Sequence, residues 1–211
     1  MQRTLIDTRK YYDEKNIFGA LIVTSAFAAH QVEFNLNDKE VEGQVLFDLS
    51  KMGVPLEGAY AGARILNGDE RNSDKIEDIS PLKEVSFKVM RPVEGVAGLS
   101  LGLGIKGEYT KFDGERYSAI PLGLEADMKL PLATPFPLHI CGALYYAPSD
   151  LVFQDGIKYL EVRTYLDAEV IHHGHIEVGY RNIDPDLNNH TVKSHNVTYN
   201  EAFYCGLRLD F

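Results

Sequence analysis

The sequence predicts an all-β chain: a closed antiparallel transmembrane β-barrel of ten strands, with eight as the alternative, after an N-terminal signal peptide. Three observations lead there. From Gln31 onward apolar and polar residues alternate with period two, and no segment shows a convincing helical period. The joins between alternating stretches are by turns long and polar, then short, which is the habit of outer-membrane barrels. The final alternating stretch runs to Phe211 itself, so an aromatic residue closes the last strand.

The first element is an address. Ile17–Ala28, IFGALIVTSAFA, is apolar but far short of the roughly 20 residues of a spanning helix. Lys15, Arg3, Arg9 and Lys10 precede it, and Ala26-Phe27-Ala28 has the small-x-small form of a cleavage site. Residues 1–28 therefore read as a signal peptide with its apolar region at 17–28, and 29–211 as the barrel. Asp7, Asp13 and Glu14 depart from a purely basic leader. The competing reading of the segment is a buried first strand or helix.

The strands follow in order. Four are expected near Gln31–Asn37, Gly43–Ser50, Gly58–Leu66 and Leu82–Met90. In the third, Ala59, Ala61, Ala63 and Ile65 oppose Tyr60 and Arg64. Gly98–Tyr109, GLSLGLGIKGEY, is the clearest: Leu99, Leu101, Leu103, Ile105 and Tyr109 share one face, Lys106 and Glu108 the other. Ser118–Leu130 sets Ile120, Leu122, Leu124 and Met128 against Glu125, Asp127 and Lys129. Phe136–Tyr146 sets Leu138, Ile140 and Leu144 against His139, Cys141 and Tyr145. Tyr159–Ile171 sets Leu160, Val162 and Leu166 against Glu161, Arg163, Asp167 and Glu169. His175–Ile183 sets Ile176, Val178 and Tyr180 against Glu177 and Arg181. Glu201–Phe211 sets Phe203, Cys205, Leu207, Leu209 and Phe211 against Arg208 and Asp210.

Alternation alone fits both a soluble sandwich and a membrane barrel, so other features decide. The long joins 67–81, 110–117, 147–158 and 184–200 all fall at one end, and an even strand count puts both termini at the other. Tyr109, Tyr117, Tyr145, Tyr146, Tyr159, Tyr180 and Phe203 are expected near the outer rim, with Phe136 and Phe211 at the inner rim, as interfacial girdles. In hydrocarbon an unpaired backbone N–H or C=O costs several kcal/mol, so first and last strands must pair. Pro121 and Pro137 each lack a ladder donor and are expected near strand ends.

Composition removes other classes. The net charge of −10 disfavours nucleic acid, which asks for clustered Lys and Arg. Apolar content of 45% with 25% charged residues excludes wholesale disorder. Cys141 and Cys205 lie on opposite faces of non-adjacent strands and are expected as free thiols.

Several stretches resemble the YfaZ family of outer-membrane proteins: ALYYAPSDLVF (143–153), KYLEVRTYLDAEVI (158–171), HIEVGYRNID (175–184), the terminal NEAFYCGLRLDF (200–211) and, less specifically, GLSLGLGIKGEY. VGYRNID (178–184) is the most specific of these. The resemblance covers 98–211 and fades toward the N-terminus. It implies a barrel in a Gram-negative bacterial outer membrane and implies no activity.

The inward rows define the candidate site. Lys88, Lys106, Lys129, Arg163, Arg181 and Arg208 face Glu84, Glu108, Glu125, Asp127, Glu161, Asp167, Glu169, Glu177 and Asp210. About eight strands enclose a bore that side chains just fill, so ten with mixed charge favour a salt-bridged plug. The alternative is a narrow pore, whose acidic excess selects cations. An outer-membrane enzyme is the rival class, but His139 lies near the inner end of its strand, with no inward serine expected within one or two pairs and no nucleophile–base spacing. His172, His173 and His175 cluster at an inner turn without a completing ligand, so no metal and no cofactor is expected. The expected partners are lipid, lipopolysaccharide and the barrel assembly machinery, which would read Phe203, Leu207, Leu209 and Phe211, and the barrel is expected to be a monomer. The outer loops 67–81 and 184–200 offer contacts of unspecified kind.

Overall fold

The structure, a computed structural model, describes residues 30–67, 79–112, 115–187, 195–196 and 198–211. The expected signal peptide and much of the loops 67–81 and 184–200 lie outside the described residues. The strands are β1 (Gln31–Leu36), β2 (Val41–Asp48), β3 (Ala59–Asn67), β4 (Leu82–Pro92), β5 (Leu99–Phe112), β6 (Glu115–Ala119), β7 (Leu122–Lys129), β8 (Leu138–Ala147), β9 (Val152–Gln154), β10 (Gly156–Ile171), β11 (Gly174–Leu187), β12 (His195–Asn196) and β13 (Asn200–Asp210).

Ten staves close into a ring. Each stave pairs antiparallel with the next, and β13 returns to β1 with Asp210 opposite Gln31 and Cys205 opposite Leu36. Strands β6 and β7 form a single stave against β5: Ala119 lies opposite Glu108 and Leu122 opposite Ile105 in one unbroken register. Pro121 therefore stands inside a stave, not near its end as expected. The ladder survives because Lys106 N still donates to Pro121 O at 3.0 Å. The missing donor falls where the stave's other neighbour changes from β8 to β9. Two short strands, β9 and β12, lie outside the ring and pair with β6 and β11.

Several expected loops prove to be strand. Residues 110–112 and 115–117 extend a hairpin, and β11 runs on to Leu187. The β1–β2 turn is tighter than expected, because Asn37 Oδ1 accepts the N–H groups of Lys39 and Glu40. That brings Glu42 into β2. At the inner end, Gly98 holds φ +84°, and a Cβ there would lie 2.8 Å from Lys129 O.

The side-chain polarity is inverted relative to a soluble protein. Leu103, Leu124 and Leu144 lie opposite one another across β5, β7 and β8 and continue to Val162 on β10. Leu103 is 68% exposed and Leu124 60%. On the alternate positions of these strands, Lys106, Glu108 and Glu161 are buried. Such an exterior is stable only against hydrocarbon, and the closed ring leaves no edge for lipid to meet. The chain is a transmembrane barrel of outer-membrane type.

The girdle needs correction. Tyr146, Tyr180 and Phe203 do face outward, the last two with ring centroids 5.2 Å apart. Tyr117, Tyr145 and Tyr159 are buried instead, and what they do there belongs to the lumen.

Candidate functional site

The lumen is built in three layers. At the outer end the inward positions of the staves turn apolar: Leu66, Leu82, Phe112, Tyr117, Ala147, Tyr159 and Ile183 pack with Val152 and Tyr199 into a buried cluster. Phe112 sits edge-on to both Tyr117 and Tyr199, at 6.2 and 6.0 Å between centroids. Tyr199 fastens this layer. Its hydroxyl lies 2.7 Å from Leu82 N, from which it accepts, and 3.0 and 3.1 Å from the carbonyls of Leu66 and Ser80. An apolar layer across the bore was not expected from the alternation.

Beneath it lies a lattice of ion pairs. Arg64 on β3 meets Glu161 on β10 with both guanidinium nitrogens, at 2.7 and 3.1 Å, and also pairs with Glu84. Lys106 Nζ stands 2.6 Å from Glu161, 3.2 Å from Glu84 and 4.0 Å above the Tyr145 ring. The Tyr159 hydroxyl lies 2.7 Å from Glu108 and 3.0 Å from Glu161. A second group joins Arg181 to Glu42, to Glu40 at 3.3 Å and to Asn200 at 2.8 Å. Arg163 pairs with Glu33, and its Nε donates to the Tyr204 hydroxyl at 2.7 Å. Arg208 pairs with Asp167 and, at 3.0 Å, with Glu177.

Glycines make this packing possible. Tyr145 lies so close to Gly104 and Gly123 that a Cβ would come within 2.1 Å of its hydroxyl at the first and 2.3 Å of its ring at the second. Gly104 on β5 and Gly123 opposite it on β7 thus provide a floor for a large ring with an ammonium above it.

Charge does not balance in the lattice. Eight carboxylates at 5% exposure or less, those of Glu33, Glu40, Glu42, Glu84, Glu108, Glu161, Asp167 and Glu177, face Arg64, Lys106, Arg163, Arg181 and the less buried Arg208. Glu84 Oε2, Glu108 Oε2 and Glu177 Oε2 are buried and make no hydrogen bond. Glu84 Oε2 does lie at ion-pair distance from Arg64 and Lys106, so its deficit is one of direction. A buried carboxylate without a full complement of donors is costly.

The third layer is open. A cavity of about 380 Å³ reaches from Arg64, Lys106 and Glu161 down to His30, Asp48 and Asp210 at the inner rim. Lys88 and Glu125 pair on its wall at 2.6 Å, and Tyr145 donates to Glu125 at 2.5 Å.

The expected lumen charges divide accordingly. Lys106, Glu108, Glu161, Arg163, Asp167, Glu177, Arg181 and Arg208 are in the lattice, and Lys88, Glu125 and Asp127 line the cavity. Lys129 and Glu169 lie at the inner rim and are not packed in the bore, and Asp210 bridges rim and lattice through His175. His175 also separates from its neighbours: it turns inward to Asp167 at 2.7 Å, while His172 and His173 stay exposed in the β10–β11 turn. Cys141 and Cys205 are free. Phe203, Leu207, Leu209 and Phe211 are all exposed on the outer face of the last stave.

Glu33, Glu40, Glu42 and Arg64 are essential to the lattice and were not among the expected lumen charges. Alternation in Gln31–Leu36 already places Glu33 and Asn35 opposite Phe34 and Leu36, and Arg64 opposite an alanine row, so a signal existed for Glu33 and Arg64. Glu42 was hidden by placing it in a turn.

The catalytic alternative meets a geometric obstacle. Ser100 does face the lumen one inward position from the row of His139, contrary to expectation, and stands opposite Asp127, which in turn stands opposite Cys141. Yet Asp127 occupies the strand between them and takes His139 Nδ1 at 2.7 Å. The carboxylate is central where a triad needs the imidazole.

Comparison with known proteins adds little detail. No protein-family model matches the chain, and no curated protein matches it. Among solved structures it is similar to OmpT, an outer membrane protein of Vibrio cholerae folded in vitro, in its trimer form. The identity is 10% and the TM-score 0.34, over 86% of this chain and 64% of that one, so the chain spans under two thirds of that protein's length.

Proposed function

We propose that this chain is a small barrel of the bacterial outer membrane with an occluded lumen and a structural or interaction role, and that it carries no catalytic centre. The observation that carries this reading is the stacking of the apolar layer on the ion-pair lattice. A solute entering from the outer end meets close-packed tyrosine, phenylalanine and leucine side chains. Behind them it meets charges already paired with one another. A narrow cation-selective pore requires both layers to part.

Lipid and lipopolysaccharide are the proposed surroundings of the exposed leucine belt. The outward row Phe203, Leu207, Leu209 and Phe211 is the proposed signal for the barrel assembly machinery. The YfaZ resemblance of residues 98–211 accords with this reading. Planar-bilayer recording of the purified full-length protein tests it: the expected result is no sustained current at any applied potential, and a steady cation current overturns it. Membrane fractionation, with a band that shifts on heating, tests the location. Recovery in the soluble periplasmic fraction refutes it.

A further inference from the structure

Among the described residues four turns close the inner end: 49–58, 93–98, 130–137 and 172–173. Three of them carry ionisable groups, Lys51 and Glu57 in the first, Glu94 in the second, His172 and His173 in the last. The β7–β8 turn, LPLATPFP, carries none, and it lacks the Gly, Asn and Asp that suit a turn in water. All of 131–137 is exposed, Leu132 at 57% and Phe136 at 42%.

These apolar residues prolong the lipid-facing surface. The β7–β8 ladder ends where Leu130 N donates to Leu138 O at 2.8 Å. Leu130 stands in the outward row of Leu122 and Leu124, and Leu138 in that of Ile140 and Leu144. Leu132 comes two residues after Leu130 and Phe136 two before Leu138, so each is next in its row. They are about as exposed as Leu101 and Ile140 within the belt.

The backbone sets the depth. Pro131, Pro135 and Pro137 have no N–H to leave unpaired. The N–H groups of Leu132, Ala133, Thr134 and Phe136 make no hydrogen bond to any described residue. Such donors are excluded from the hydrocarbon itself. Water and headgroup oxygens serve them at the interface, where apolar side chains still reach the acyl boundary.

We propose that the β7–β8 turn is a one-sided membrane anchor, with Leu132 and Phe136 inserted at the headgroup–acyl boundary of the inner leaflet, and that its occupant is phospholipid. The proposal rests on the transmembrane reading and extends it, because it places one inner turn in lipid and leaves the β10–β11 turn in water.

The chain has no tryptophan, so Phe136→Trp, Leu132→Trp, Leu103→Trp and His172→Trp each give a single reporter. The full-length variants are placed in nanodiscs of phosphatidylcholine with plain or brominated acyl chains, and a heat-shifted band establishes that each folds. Bromination is expected to lower the emission of Phe136→Trp and Leu132→Trp at least twofold, with iodide shielded from both. His172→Trp is expected to keep its emission and to be quenched by iodide. Iodide access to both turn reporters overturns the anchor. Shielding of both from iodide and bromine alike also overturns it, since protein, a second copy or another chain, then covers the turn. Equal bromine quenching of His172→Trp overturns its one-sidedness. Leu103→Trp separates the two readings: if bromine quenches it and spares the turn reporters, the anchor alone falls, and if bromine spares all of them, the transmembrane reading falls too.

Discussion

The two ends of the bore are filled by different physics. At the outer end the lumen packs like the interior of a soluble domain, with Phe112, Tyr117, Tyr159 and Tyr199 meeting across it. At the inner end the same ring of ten staves encloses an open, polar space. The width available is similar, so the difference lies in side-chain reach. Large rings and long guanidinium groups span the bore, whereas Ser86, Ser100 and Ala143 on the cavity wall do not. How far the bore is filled is therefore a property of which residues occupy the inward rows at each height, and strand number alone does not set it.

That contrast can be broken from the middle outward. The largest effect is expected from Arg64→Leu, which strands the buried carboxylates of Glu161 and Glu84 without their main counter-ion. Removing one partner of a buried ion pair costs about 3–5 kcal/mol, so the urea midpoint of the lipid-reconstituted protein should fall steeply or the compact band vanish. An unchanged midpoint would mean that the lattice does not stabilise the barrel. Next comes Leu103→Arg on the lipid face, expected to cost about 2–4 kcal/mol near the bilayer midplane. If the same change were neutral in lipid, the inside–outside assignment would be wrong.

Tyr199→Phe probes the outer layer alone. It leaves Leu82 N without its 2.7 Å acceptor, and a buried orphaned donor costs about 1–3 kcal/mol. Hydrogen exchange should rise at the outer ends of β3 and β4 and not at the inner rim. The smallest effect belongs to Asp127→Asn in the open cup, where solvent replaces what is lost; stability should change by no more than about 0.5 kcal/mol. A loss as large as that for Arg64→Leu would show that the inner end is no cup but a further packed layer.

Much of this was legible without coordinates, and the failures have physical causes. Period two placed Leu103 and Leu124 outward and Lys106, Glu161 and Arg163 inward, because a pleated strand leaves each residue only two directions. The tyrosines misled, since a ring with a hydroxyl suits a membrane interface and a bore equally well. Alternation already put Tyr145 on the face of His139 and Cys141, but the room its ring occupies is made by Gly104 and Gly123, and a lone strand carries no record of its neighbours' glycines. Pro121 was misplaced because its cost depends on whether the adjoining strand continues past it, and β8 does not. Glu42 was lost because β2 begins at Val41, two residues earlier than the polar composition suggested.

The sequence by itself determined which face each strand turns to lipid, that the staves must close into a ring, and that charge is gathered within it. Only the tertiary structure decided which charges meet. Arg64 and Glu161 are 97 residues apart and sit on strands that are not neighbours, and they touch because ring closure and strand stagger bring them to one height. Alternation specifies a side and is silent about height and about what stands across the bore. That is why the division of the lumen into a packed outer layer, an ionic lattice and an open cup appears only when the barrel is closed.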